Sequence, residues 1–155
     1  MDDAIKRELD DILAAFEAKR SATIETAANA QDARRKFLEG FAGKLTSVVR
    51  PAMDGFKRRL QEYRMGFEVE ELKSGRRKEG EAPEPGGLRL TIYPDGPSDP
   101  RHPGRRISME VKPDSPRNLV MVDDGGKKPT EYELDELDAA TVERHVLAML
   151  SRALR

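Results

Sequence analysis

The chain contains no cysteine and no tryptophan. The first absence excludes a disulfide framework, a thiolate nucleophile and any cysteine-ligated metal, and it accords with a reducing compartment. Aromatic residues make up only 5% of the chain, so large apolar side chains are scarce for one spherical core. Charged residues reach 37%, against about 25% in an ordinary globular chain. An elongated or self-associating protein is expected. Neither sign of charge dominates: 28 basic residues face 29 acidic ones, a formal net charge of −1, so no global field favours nucleic acid or anionic lipid. No apolar run approaches the roughly 20 residues that span a bilayer. Met1 to Glu8 lacks the apolar core of a signal peptide, and a soluble cytoplasmic protein is expected.

What is abundant is helix-forming sequence. From Asp2 to Tyr63 there is a single proline, Pro51, and apolar residues recur three and four apart: Ile5, Leu9, Ile12, Phe16, then Phe37, Phe41, Leu45, Val48, Ala52, Phe56, Leu60 and Tyr63. A strict heptad fails because Lys19, Thr26 and Lys44 fall on seam positions. An eleven-residue step through Ile5, Phe16, Ala27, Leu38, Val49 and Leu60 meets only apolar residues. The spacing predicts a long, coiled-coil-like helical region over 1–64, with Gly40 to Gly43 as a place to reverse and Pro51 as a place to bend. Phe41, Leu45, Phe56 and Leu60 are expected in a helix–helix contact. Residues 1–33 carry four basic and eight acidic side chains (−4), whereas residues 34–64 carry nine basic and three acidic (+6). Opposite halves therefore attract when they lie side by side, in a hairpin or in an antiparallel pair of chains.

Beyond Tyr63 the period becomes two. Met65, Phe67 and Val69 alternate with polar residues, as do Leu88, Leu90 and Ile92, then Ile107, Met109 and Val111. Leu119 to Val122 is apolar on both faces and reads as a central strand. The run Asp123-Asp124-Gly125-Gly126 signals a turn, and Tyr132 and Leu134 alternate with Glu131 and Glu133 beyond it. Such strands predict an antiparallel sheet covered on one side. The cover is the last segment, where Asp138 is the expected N-cap and Val142, Val146, Met149 and Ala153 form one stripe. The fold class is thus α+β, with a helical region at 1–64 and an α+β domain of antiparallel sheet and C-terminal helix at 65–155. Ser74 to Gly87, rich in charge, glycine and proline, is expected to be a mobile surface loop.

Few residues carry chemistry. The two histidines, His102 in a proline-rich loop and His145 on the terminal helix, have no motif around them. His-Glu-x-x-His, a phosphate-cradling glycine loop before a helix and a nucleophile elbow are all missing. His145 is read first as an interfacial helix residue and second as a catalytic base. Asp123 and Asp124 are read first as turn chemistry and second as ligands of a hard cation. The repeat Pro94, Pro97, Pro100, Pro103 matches the three-residue turn of polyproline II, and Pro100-x-x-Pro103-x-Arg105 matches a proline-groove ligand; a stiffened connection is the plainer reading.

No catalytic residue, cofactor site or metal site is expected. The favoured reading is a non-enzymatic interaction or scaffolding protein that self-associates through its helical half, or packs there on a protein partner, and presents a binding surface on its α+β half. The alternative is a nucleic-acid-associated protein, with Arg34, Arg35, Lys36, Lys57, Arg58 and Arg59 as candidate phosphate contacts. Of the other basic clusters, Arg76 to Lys78 is offset by Glu79, Glu81 and Glu84, and the sheet lacks the paired aromatics that stack bases. A hydrolase or transferase is the third class.

Overall fold

The computed structural model describes residues 2–73, 86–96, 104–114 and 117–155. The chain forms two compact units, Met1–Lys36 and Phe37–Arg155. The first helix, α1 (Asp3–Lys44), supplies residues 3–36 of the first unit and continues into the residues of the second. Asp2 opens it: its carboxylate accepts the N–H of Ala4 at 3.3 Å and its carbonyl accepts that of Lys6, and the negative charge sits at the positive end of the helix dipole. Arg20 pairs with Glu17 at 2.6 Å, and Arg35 and Lys36 share Asp32 at 2.5 and 3.3 Å. Exposed pairs three and four apart support a helix by about 0.3–0.5 kcal/mol each. Gly40 and Gly43 both lie inside α1.

Pro51 acts on the backbone just before it. It has no N–H to return to the preceding turn and its ring crowds that turn. The chain answers with one wide π-turn over Leu45–Val49, in which the Arg50 N–H donates to the Leu45 carbonyl. Pro51 then stands in the first turn of α2 (Arg50–Asp54), where a missing donor is harmless. A break at Gly55 and Phe56 leads to α3 (Lys57–Glu62). This helix closes on Arg64 in the left-handed region (φ 60°), while Met65 N–H returns to the Leu60 carbonyl at 3.0 Å. The chain leaves that reversal as a strand.

Five strands follow in an antiparallel sheet of order β1-β2-β3-β4-β5: β1 (Gly66–Glu71), β2 (Leu88–Tyr93), β3 (Ile107–Asp114), β4 (Leu119–Asp123) and β5 (Thr130–Tyr132). Register aligns one apolar face through Val69↔Leu90↔Met109 and Leu88↔Val111↔Val122. The helical segments from Phe37 onward and α4 (Ala139–Leu154) cover that face, so Phe41, Val49, Met53, Leu90, Ile92, Met109, Val142 and Val146 form a single core. Leu45 and Leu60 are buried in the same core and Phe56 is half-buried against it. Residues 37–62 thus belong to the same unit as the sheet.

Three local features complete the frame. Asp138 caps α4, its carboxylate accepting the Thr141 N–H at 2.8 Å and the Thr141 hydroxyl at 2.7 Å. The alternation through Leu134 does not continue as strand. β5 ends at Tyr132 and Leu134–Glu136 forms a 3-10 turn, because Glu133 and Glu136 cap each other's backbone. Gly87 lies in the left-handed region (φ 109°), and a Cβ there would stand 2.0 Å from the Val111 carbonyl oxygen. Only glycine permits that approach. The expected mobile loop at Ser74 to Gly87 lies outside the described residues except for Gly86 and Gly87. His102, Pro97, Pro100 and Pro103 lie outside them altogether.

Candidate functional site

The first unit shows an apolar stripe open to solvent. Ile5, Leu9, Ile12, Leu13 and Phe16 recur at helical spacing and are 42–60% exposed, and Ile24 is 64% exposed. Single exposed apolar residues are ordinary, but a contiguous row of five on one helix is the pattern of an interaction surface. The Thr23 and Thr26 hydroxyls donate to the carbonyls of Lys19 and Ala22 at 2.9 and 2.8 Å, and Arg20 lies over the Phe16 ring, 5.7 Å from its centre.

The second unit holds a chain of polar side chains. His145, on α4, points Nδ1 at Asp124 Oδ2 (2.7 Å) and Nε2 at the Tyr132 hydroxyl (2.6 Å). Asp124 also accepts from Gly126 N–H at 3.0 Å and from Arg152 at 2.7 Å. Burial works to raise the Asp124 pKa, but the His145 hydrogen bond, the Gly126 N–H and Arg152 outweigh it and hold the carboxyl below its ordinary value. An ionised Asp124 can only accept, so Nδ1 donates to it; in the neutral imidazole Nε2 then accepts and Tyr132 donates. Burial pushes the Tyr132 hydroxyl up, which keeps its proton in place. A shallow cleft lined by Asp124, Tyr132, Thr141, Arg144, His145 and Ala148 opens beside this chain.

The arrangement resembles the orienting half of an acid–base site, since a carboxylate fixes the imidazole tautomer. The lone pair that a general base needs is already taken by Tyr132, however, and the side chains of His145 and Asp124 are only 11% and 13% exposed. What the chain does plainly is join the β4–β5 turn, β5 and α4. The turn itself is Asx chemistry: Asp123 accepts from Gly125 N–H at 3.1 Å as Asp124 does from Gly126. Among the described residues no group of three or more histidine, aspartate or glutamate side chains is placed to hold a metal, and no helix is long and apolar enough to cross a membrane.

Sequence patterns did not link Asp124, Tyr132 and His145, because they belong to a turn, a strand and a helix. The available signal was positional: His145 adjoins Val146 on the edge of the buried stripe of α4, where a polar residue needs a partner.

The outer sheet face is a lattice of ion pairs. Arg89 joins Glu70 (3.1 Å) and Glu110 (2.7 Å), Lys112 joins Glu110 (2.5 Å), and Arg117 joins Asp114 and Glu131 (both 2.6 Å). Lys112 and Arg89 hold Glu110 below the ordinary carboxylate range against the opposing effect of burial. Tyr93, an aromatic on this face, donates to Glu68 at 3.2 Å.

Of the candidate phosphate contacts, Arg34, Arg35 and Lys36 lie in the first unit and Lys57, Arg58 and Arg59 in the second. Arg35 and Lys36 are engaged by Asp32, and Arg58 and Arg59 by Glu62 at 3.9 and 2.8 Å. Phe41, Leu45, Phe56 and Leu60 lie in or against the core of the second unit. No protein-family model matches the chain, and neither a curated protein nor a solved structure matches it.

Proposed function

We infer that this is a non-enzymatic interaction protein of the cytoplasm, which associates through the apolar stripe of its first helix and presents the charged outer face of its sheet to a partner. The observation that carries this reading is the row Ile5, Leu9, Ile12, Leu13 and Phe16, left open on a helix whose own packing gives it no use for them. Burying such side chains is worth about 1.5–3 kcal/mol each, so a row of five is a strong drive to associate. The lack of cysteine supports a reducing compartment. The occupied Nε2 of His145 supports a positional duty for the one polar chain that could pass for catalytic machinery.

Light scattering on the full chain at micromolar concentration tests the reading. A mass above one chain is expected, with a return to one chain when Leu9 and Phe16 are both changed to Asp. A monomer of the unaltered protein at that concentration would overturn it.

A further inference from the structure

The stripe of the first unit is uneven along its length. Its early part carries the bulky Ile5, Leu9, Ile12 and Phe16, whereas the continuation of the same face, past Lys19 and Arg20 at its margins, carries Thr23, Ala27 and Ala30 and then Arg34. Two copies side by side in parallel would oppose large to large at one end and small to small at the other, which leaves a gap because the separation of packed helices is set by the side chains between them. Two copies running in opposite directions oppose Leu9, Ile12 and Phe16 to Ala30, Ala27 and Thr23, with Ile5 against the stem of Arg34 at either end.

Charge selects the same geometry. Asp2, Asp3, Glu8, Asp10 and Asp11 give residues 2–11 an acidic excess despite Lys6 and Arg7, while Arg34, Arg35 and Lys36 make the far end basic. Parallel copies would set acid against acid and base against base. Antiparallel copies overlapping from end to end bring Asp2 and Asp3 of one helix beside Arg35 and Lys36 of the other, while Lys19 meets Arg20 at the midpoint, where each Arg20 is paired with Glu17 of its own helix. Asp32, which already binds Arg35 and Lys36, moderates the basic end without reversing its sign.

We propose that the exposed face of residues 3–36 docks on the same segment of a second copy of this chain, antiparallel and in full overlap, with Leu9, Ile12 and Phe16 against Ala30, Ala27 and Thr23 of the other copy. This rests on the reading that the stripe is an association surface and adds the identity and direction of its occupant. Volume and charge point to this pairing independently.

The protein has no native cysteine, so single spin labels report on pairs of copies. Labels are placed on Ala18→Cys, near the midpoint, and on Ala4→Cys, near the start. In the antiparallel pair the Ala18 labels are offset by only about 5 Å along the axis and the Ala4 labels by about 46 Å, at 1.5 Å per residue. Short distances at both sites, or long distances at both, would overturn the antiparallel pairing while the scattering mass still supported self-association. A mass of one chain without dipolar coupling would overturn both. A charge exchange gives a second reading: Arg34→Glu with Arg35→Glu should loosen the pair about tenfold at low salt, because several exposed ion pairs are lost together. Adding Asp2→Lys and Asp3→Lys should restore it, and failure of the quadruple variant to regain affinity would count against the pairing.

Discussion

His145 and Asp124 stand 21 residues apart in sequence and 2.7 Å apart in space, Nδ1 against Oδ2. This contact, continued to the Tyr132 hydroxyl on the other ring nitrogen, fastens the C-terminal helix to the turn and strand that precede it. Changing His145 to Ala leaves a largely buried carboxylate short of one donor and a half-buried phenol without its acceptor. A loss of about 1–3 kcal/mol is expected, the usual penalty for orphaned polar groups. Thermal melting of the variant would show it, and an unchanged midpoint would mean that the chain contributes nothing to holding α4.

Acid should weaken the fold in a defined window. Asp124, Glu110 and Asp138 all have folded pKa values below their ordinary ones; for Asp138 the Thr141 hydroxyl and N–H are the leading causes. A depressed carboxyl stabilises fully above its unfolded pKa, about 4, and that stability is lost as pH falls through the lower folded value. Urea midpoints should therefore be flat near neutrality and drop below pH 4. In Asp124→Asn the drop should be shallower, and an identical slope would remove Asp124 from the account.

Gly87 should tolerate no side chain. With φ at 109° and the Val111 carbonyl oxygen 2.0 Å from where a Cβ would stand, Gly87→Ala must push β2 and β3 apart or shift the strand's entry. We expect a loss of about 3 kcal/mol, well beyond an ordinary surface change. Gly43→Ala, where a Cβ meets nothing within 4 Å, should be neutral or slightly stabilising by helix propensity. Equal melting of the two variants would contradict the close approach at Gly87.

Two apolar residues of the helical region should respond in opposite ways. Leu60 is buried in the core, so Leu60→Asp places an unpaired charge there and should cost about 3 kcal/mol or more of stability. Phe16 is 59% exposed on the first unit, so Phe16→Asp should leave the melting of a dilute sample nearly unchanged and reduce the scattering mass. Loss of folding in Phe16→Asp, or an unaltered melt in Leu60→Asp, would contradict this division.

Local pattern was enough for most of the architecture. Helical spacing before Tyr63, alternation after it, the Asp138 cap and the turn at Asp123 to Gly126 each depend on neighbours within a few residues, and each was legible for that reason. Pro51 marked an irregular stretch of the helix, and the form taken, a π-turn over Leu45–Val49, follows from how the carbonyls before it are satisfied.

Tertiary structure alone decided the rest, because it depends on which surfaces meet. The same apolar spacing runs through Phe16 and Phe41, yet one ring is open to solvent and the other lies in a core with Leu90 and Val146. Periodicity reports that a face is apolar and is silent about what covers it. The alternation reaching Leu134 was likewise overruled by the mutual capping of Glu133 and Glu136. Asp124, Tyr132 and His145 came together through the docking of α4 on the sheet, a convergence that no spacing within a single element encodes.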